Sequence, residues 1–206
     1  EETLTPPSID FNGDGKVNVV DLSIIAIQII APYNAKYDLD RDGMPEILSS
    51  SGDIWHADCS HYARIEGAGG VSQPLVVDLD LDGDLEIVSR TTIFDHTGAP
   101  IGHLQGEPAT YLAAADVTGD ANPEILSYNS TFPFALVVRN FQGQILWTYG
   151  ADGVADNNAP ILLANLDDDP QAEIVSLRCG SDVDSIPYSC NLIALDGDGS
   201  SMWPRG

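Results

Sequence analysis

Short apolar runs alternate along the chain with acidic or glycine-rich breaks. Pro74-Leu-Val-Val, Tyr111-Leu-Ala-Ala-Ala and Pro160-Ile-Leu-Leu-Ala each lead into a polar stretch. Each stretch closes on an acid and a second apolar run: Glu86-Ile-Val-Ser, Glu124-Ile-Leu-Ser and Glu173-Ile-Val-Ser, with Glu46-Ile-Leu-Ser as a further copy. Apolar runs this short, bounded by turn residues, predict β-strands. A glycine-turn hairpin follows in Ile93-Phe-Asp-His-Thr-Gly-Ala-Pro-Ile, in the segment from Val138 to Trp147 and in the segment from Ile193 to Trp203. The polar breaks begin at 38, 78, 116 and 165. Four strands per repeat of that length is the pattern of a propeller blade or a similar β array. The predicted fold class is mainly β.

One segment departs from this pattern. From Val19 to Ala31 the chain carries Ile24, Ile25, Ile27, Ile29 and Ile30, with Ser23 and Gln28 interrupting them, and Pro32 follows. A helix is predicted there, stopped by the proline. A helix apolar all round is buried, either against the β domain or against a protein partner.

The polar breaks are themselves patterned. Oxygen-bearing side chains recur at every second residue in Asp10-Phe-Asn12-Gly-Asp14, Asp38-Leu-Asp40-Arg-Asp42, Asp78-Leu-Asp80-Leu-Asp82, Asp116-Val-Thr118-Gly-Asp120 and Asn165-Leu-Asp167-Asp-Asp169. Such spacing, followed by glycine, lets a short loop curl around a hard cation of Ca²⁺ size. In the first, Asp10, Asn12, Asp14, Lys16, Asn18 and Asp21 occupy positions 1, 3, 5, 7, 9 and 12 of an EF-hand frame. Lys16 would offer its backbone carbonyl there.

Charge strengthens the cation reading. The chain has 32 acidic residues against 8 Lys and Arg, a net charge of -24, and nineteen of the acids lie in the five ladders. Acids this close repel one another unless a cation binds. The acidic balance excludes nucleic acid and anionic membrane as partners. No apolar stretch reaches the roughly 18 residues that a membrane span requires.

Asp-x-Asp-x-Asp-Gly-x-x-Glu-Ile-[Leu/Val] at 38 and 78, with looser copies at 116 and 165, resembles the FG-GAP/VCBS repeats. These are the calcium-loop β-propellers typified by the integrin α-subunit head. The resemblance covers 38–206 and implies a β-propeller-like array of about four blades, or an incomplete propeller. The chain ends at Trp203-Pro-Arg-Gly206, where a further blade would begin, so a fragment or blades from a neighbouring molecule are expected. Asn12-Gly-Asp-Gly-Lys-Val-Asn18, with Asp21-Leu after it, resembles one half of a dockerin. The organisation expected is therefore 1–35 as a dockerin-like loop and helix, and 36–206 as the β-repeat domain.

The resemblance also implies ligand positions 1, 3, 5, 7 (by backbone carbonyl) and 9 in each later loop. These are Asp38, Asp40, Asp42, Met44 and Glu46; Asp78, Asp80, Asp82, Asp84 and Glu86; Asp116, Thr118, Asp120, Asn122 and Glu124; and Asn165, Asp167, Asp169, Gln171 and Glu173. Gly43 and Gly83 suit the bend at position 6, whereas Ala121 costs roughly 1 kcal/mol in a left-handed conformation. Pro170 cannot adopt positive φ at all, so its loop must turn differently. Expected affinity falls from the loop at 78, to those at 10 and 38, then 116, then 165.

Other chemistry is sparse. Cys179 and Cys190 flank an expected hairpin tip and are candidates for a disulfide, which leaves Cys59 as a buried free thiol. Asn129-Ser-Thr131 is an N-glycosylation acceptor in an expected loop. His56 and His61 flank Cys59, but the spacing fits no closed zinc site. Trp147 and Trp203 recur at equivalent places and are expected in the core. No nucleophile elbow, phosphate loop or dinucleotide fingerprint is present, so no catalytic constellation is identifiable.

These features predict an extracellular, calcium-binding β-repeat protein with a structural or adhesive role, as a surface or filament subunit or an adhesin head. Partners would engage the apolar helix or open sheet edges; carbohydrate is a further candidate. The alternative is a part of a secreted polysaccharide-degrading enzyme that carries a dockerin-like docking segment.

Overall fold

The structure, a computed structural model, describes residues 37–49, 51–65, 74–130, 134–150, 161–180 and 189–203. The EF-hand frame at 10–21 and the apolar helix lie outside them. The described residues form strands only, in four antiparallel sheets.

Each sheet is an up-and-down meander. The first contains β1 (Ile47–Leu48), β2 (Asp53–Trp55) and β3 (His61–Arg64). The second contains β4 (Leu75–Val77), β5 (Glu86–Val88), β6 (Thr92–Phe94) and β7 (Pro100–His103). The third contains β8 (Ala109–Ala115), β9 (Glu124–Asn129), β10 (Leu136–Arg139) and β11 (Ile145–Tyr149). The fourth contains β12 (Leu162–Ala164), β13 (Glu173–Gly180) and β14 (Ser189–Leu195), extended by a bridge from Leu195 to Ser201. Strands buried on both faces read as continuous apolar runs rather than alternating ones; Glu86–Val88 and Leu136–Arg139 are buried throughout.

Three apolar clusters lie between successive sheets. Leu39, Ile54 and Ile65 meet Val76, Ile87 and Phe94. Leu79, Val88, Ile93 and Leu104 meet Ala109 and Ile125. Val117, Leu126, Tyr128, Leu136 and Val138 meet Ile174 and Leu195. The sheets therefore stack face to face, each sharing a core with the next. Tyr128 and Ser176 hydrogen-bond across the third interface, and Trp147 Nε1 donates to Gly197 O at 2.8 Å. Buried Arg139 donates to Gln105 O and Ser127 Oγ at 2.9 and 2.8 Å; burial pushes its guanidinium down to about 10.

Three acidic ladders join the first and second strands of their sheets, as the apolar pattern predicts. In the first sheet, among the described residues, a single bond, Glu46 N–H to Tyr37 O at 2.9 Å, stands where that pairing would be. Three expectations are corrected. Cys59 is exposed at a turn tip with φ +68, not buried. Trp203 is 41% exposed, whereas Trp147 packs on the third core. Asn129 ends β9 instead of standing in a loop, and its Oδ1 accepts the Ala135 N–H at 2.6 Å. Among the described residues no helix is long and apolar enough to cross a membrane.

Candidate metal centres

The ladder loops share one internal wiring. At position 1, Asp38, Asp78 and Asp116 each accept the N–H of position 6 through Oδ2, from Gly43, Gly83 and Ala121 at 2.9, 3.0 and 3.0 Å. At position 5, Asp42, Asp82, Asp120 and Asp169 accept the N–H two residues on, at 2.7 to 2.9 Å. Such Asx turns fold the chain into a tight concave loop.

A glutamate at the start of the next strand, or one residue before it in the case of Glu46, completes each loop. Glu46, Glu86 and Glu124 use Oε2 to accept the position-2 N–H of Leu39, Leu79 and Val117 at 2.5, 2.7 and 3.0 Å, and Glu173 does the same for Leu166. All four glutamates are buried. The strand start thus carries a carboxylate under the ladder, where its second oxygen remains available.

In the first three loops two residues stand at positive φ. Position 6 is the expected one, with Gly43, Gly83 and Ala121 at +89, +91 and +79. Position 4 was not foreseen: Arg41 and Leu81 stand at +60, and Gly119 at +79. A left-handed non-glycine residue costs roughly 1–2 kcal/mol, and such strain persists where the surroundings over-determine it. No side-chain pattern marks position 4, because Arg, Leu and Gly share no chemistry.

The fourth loop turns differently, as Pro170 requires. Proline has no N–H to give position 1. Position 1 is Asn165 instead of aspartate, and its Nδ2 donates to Asp169 O, so the amide supplies the donor that the backbone lacks. Both departures from the ladder are one structural adjustment.

With one oxygen of each acid holding the loop, others are left for a cation. Asp38 Oδ1, Asp78 Oδ1 and Glu173 Oε1 are buried with no hydrogen-bond partner. A buried unpaired carboxylate oxygen costs several kcal/mol unless an ion or proton meets it. Ligand atoms converge within 4.8 Å in Asp38–Asp40–Asp42, in Asp78–Asp80–Glu86 and in Asp167–Asp169–Glu173. These residues fit a divalent cation held by oxygen atoms.

The loop at 116 brings no such trio together. Asp116 Oδ1 accepts Gly119 N–H at 2.6 Å while Oδ2 takes Ala121 N–H, so both of its oxygens are used by the loop. Glu124 Oε2 also takes Thr118 N–H at 3.1 Å. The trio of carboxylates that converges at 165 has no counterpart at 116, where Thr118 stands in place of an acid.

Electrostatics follow from this crowding. Burial raises Glu86 to about 7, opposed by the Leu79 hydrogen bond and reinforced by Asp80, Asp78 and Asp82. Burial also raises Glu124. At the second loop a proton or a cation must offset the acids. The first two loops are tied by Arg41 Nη2 to Asp84 Oδ1 at 2.8 Å, with both side chains exposed.

One contact was missed in the sequence. His56 Nδ1 lies 3.4 Å from Glu46 Oε1 and 3.5 Å from Asp40 Oδ2, at the edge of the first loop.

No family model matches the chain, and no curated protein does. Among solved structures, the biofilm matrix protein Bap1 of V. cholerae matches at 22% identity and a TM-score of 0.38. The match covers 82% of this chain and 37% of that one.

Proposed function

We propose that this chain is an extracellular, calcium-braced β-repeat array of the FG-GAP/VCBS type, with a structural or adhesive role. The observation that carries the reading is the set of buried, unpartnered oxygens at Asp38, Asp78 and Glu173, each beside two further acids of its ladder. The residues that would hold the ion are Asp38, Asp40 and Asp42 in the first loop, Asp78, Asp80 and Glu86 in the second, and Asp167, Asp169 and Glu173 in the fourth. Calcium would supply positive charge where acids otherwise repel, so its binding energy becomes folding energy.

The bracing role follows from where the loops sit. Each opens a strand whose next residues enter an inter-sheet core: Ile87 in the first cluster, Ile125 in the second and Ile174 in the third. Locking a loop fixes the register of that strand. Calcium in the millimolar range outside cells suits sites of this kind. The ladder acids are committed to loop wiring and to the cation, which supports a brace rather than a reaction centre.

Calorimetric titration of the whole chain with calcium tests the reading. Asp80→Ala and Asp167→Ala should each remove one calcium from the binding stoichiometry, and Asp116→Ala should remove none. Wild-type protein that takes up no calcium at millimolar concentration would overturn it.

A further inference from the structure

The four turns that follow β2, β6, β10 and β14 are built alike. His56, Asp95, Asn140 and Asp196 each donate N–H to the carbonyl four residues on (Ser60, Ala99, Gln144 and Ser200), at 2.9 to 3.0 Å. Each also accepts the N–H three residues on at its carbonyl, from Cys59, Gly98, Gly143 and Gly199. These four residues are therefore structural equivalents. In the second and third turns the side chain serves the turn. Asp95 Oδ1 accepts from Thr97 N and Ala99 N, and Asn140 Oδ1 from Gln142 N and Gln144 N.

In the first and fourth turns Asp58 and Asp198 take that part, their Oδ1 atoms accepting the Ser60 and Ser200 N–H at 2.8 Å. His56 heads the first of these turns. The imidazole is free of that role and faces the first acidic loop instead. Its Nδ1 is 3.4 Å from Glu46 Oε1 and 3.5 Å from Asp40 Oδ2. Glu46 is held in place by the Leu39 N–H on its other oxygen, and its side chain is 1% exposed. His56 itself leans on the Tyr62 ring, with centroids 5.0 Å apart.

We propose that Asp40, Glu46 and His56 form a binding site for a transition divalent cation of the zinc class. One ligand atom of each residue lies within 4.8 Å of the others. A tetrahedral shell with bonds of about 2.0–2.2 Å sets neighbouring donors about 3.3–3.6 Å apart, which brackets both His56 distances. The nitrogen decides the class of ion. Calcium takes oxygen ligands, whereas imidazole with carboxylates suits zinc and its neighbours. Three protein ligands leave a fourth position for water. The ladder trios of the second and fourth loops contain oxygen donors alone, so the site belongs to the first loop. It shares Asp40 and Glu46 with the ligands expected for calcium in that loop, but the His56 nitrogen is its own and the site does not depend on the calcium reading.

The test is a zinc titration of the full chain in millimolar calcium, read by competition with a chromophoric chelator. Wild type should bind one zinc ion. His56→Asn places at this position the residue found at 140, so the turn is kept while the imidazole goes. It should weaken zinc roughly tenfold or more, the least expected for a lost ligand, and leave calcium uptake unchanged. Cys59→Ser and His61→Asn should bind zinc as wild type does. Equal zinc affinity in wild type and His56→Asn, or no zinc bound by wild type, would overturn the proposal. Loss of calcium uptake in Asp80→Ala with zinc binding intact speaks only to the calcium loops.

Discussion

Glu86 Oε2 accepts the Leu79 N–H at 2.7 Å, joining the first residue of a core strand to the second residue of the acidic loop before it. The same bond recurs in the other three ladder loops. Removing it leaves a buried donor unpaired, which costs about 1–3 kcal/mol. Glu86→Ala should lose that much stability in urea unfolding in chelator, and more in calcium, where a ligand to the ion is lost as well. Glu86→Gln, which keeps an acceptor, should lose less in chelator and more in calcium.

The acidity of Glu86 gives a pH dependence with a definite sign. Its folded-state value of about 7 lies above the 4.5 of an ordinary glutamate. The folded chain then holds a proton that the unfolded chain has released, so stability falls as pH rises between those values. Metal-free protein should melt progressively lower from about pH 4.5 to about pH 7. Saturating calcium should abolish or reverse that slope, because the ion replaces the proton. Melting curves across this range, in chelator and in calcium, would show it.

Ala121 occupies the bend with φ +79, where the first two loops have glycine. Ala121→Gly should raise stability by about 1 kcal/mol through relief of left-handed strain. Calcium stoichiometry should stay unchanged, since this loop brings no trio of carboxylates together. A stability gain that appears only in calcium would mean that this loop does bind the ion.

Strand register sets Cys179 opposite Cys190 in the fourth sheet. A bridge there would close a loop of about ten residues and add roughly 2–3 kcal/mol. Peptide mapping of oxidised protein should return the linked pair. Alkylation under the same conditions should modify exposed Cys59 alone. Two further alkylated cysteines would contradict this.

Much of the fold was legible because its signals are local. Glu86-Ile-Val and Glu173-Ile-Val place a buried acid and two core residues at a strand start, and β5 and β13 begin there. The oxygen ladder likewise marks its own loops. Features set by distant contacts were not legible. His56 meets Asp40 and Glu46 only because β1 pairs with β2 and carries the turn back over the loop. Trp147 and Trp203 look equivalent in sequence, yet Trp147 bonds to Gly197 of the next sheet while Trp203 is exposed. Asn165 and Pro170 each read as a defect alone. Their compensation appears only once Nδ2 is seen donating to Asp169 O.

On the reading proposed above, divalent cations hold the acidic loops, and through them the sheet stack, in place. Thermal unfolding of the whole chain in excess chelator against millimolar calcium tests it most directly. A ligand at 100 times its dissociation constant stabilises by about 2.7 kcal/mol per site, so several sites should raise the midpoint by well over ten degrees, a shift of about 4–8 °C per kcal/mol being usual for small domains and about half that for larger ones. An unchanged midpoint would mean that the loops hold without a cation.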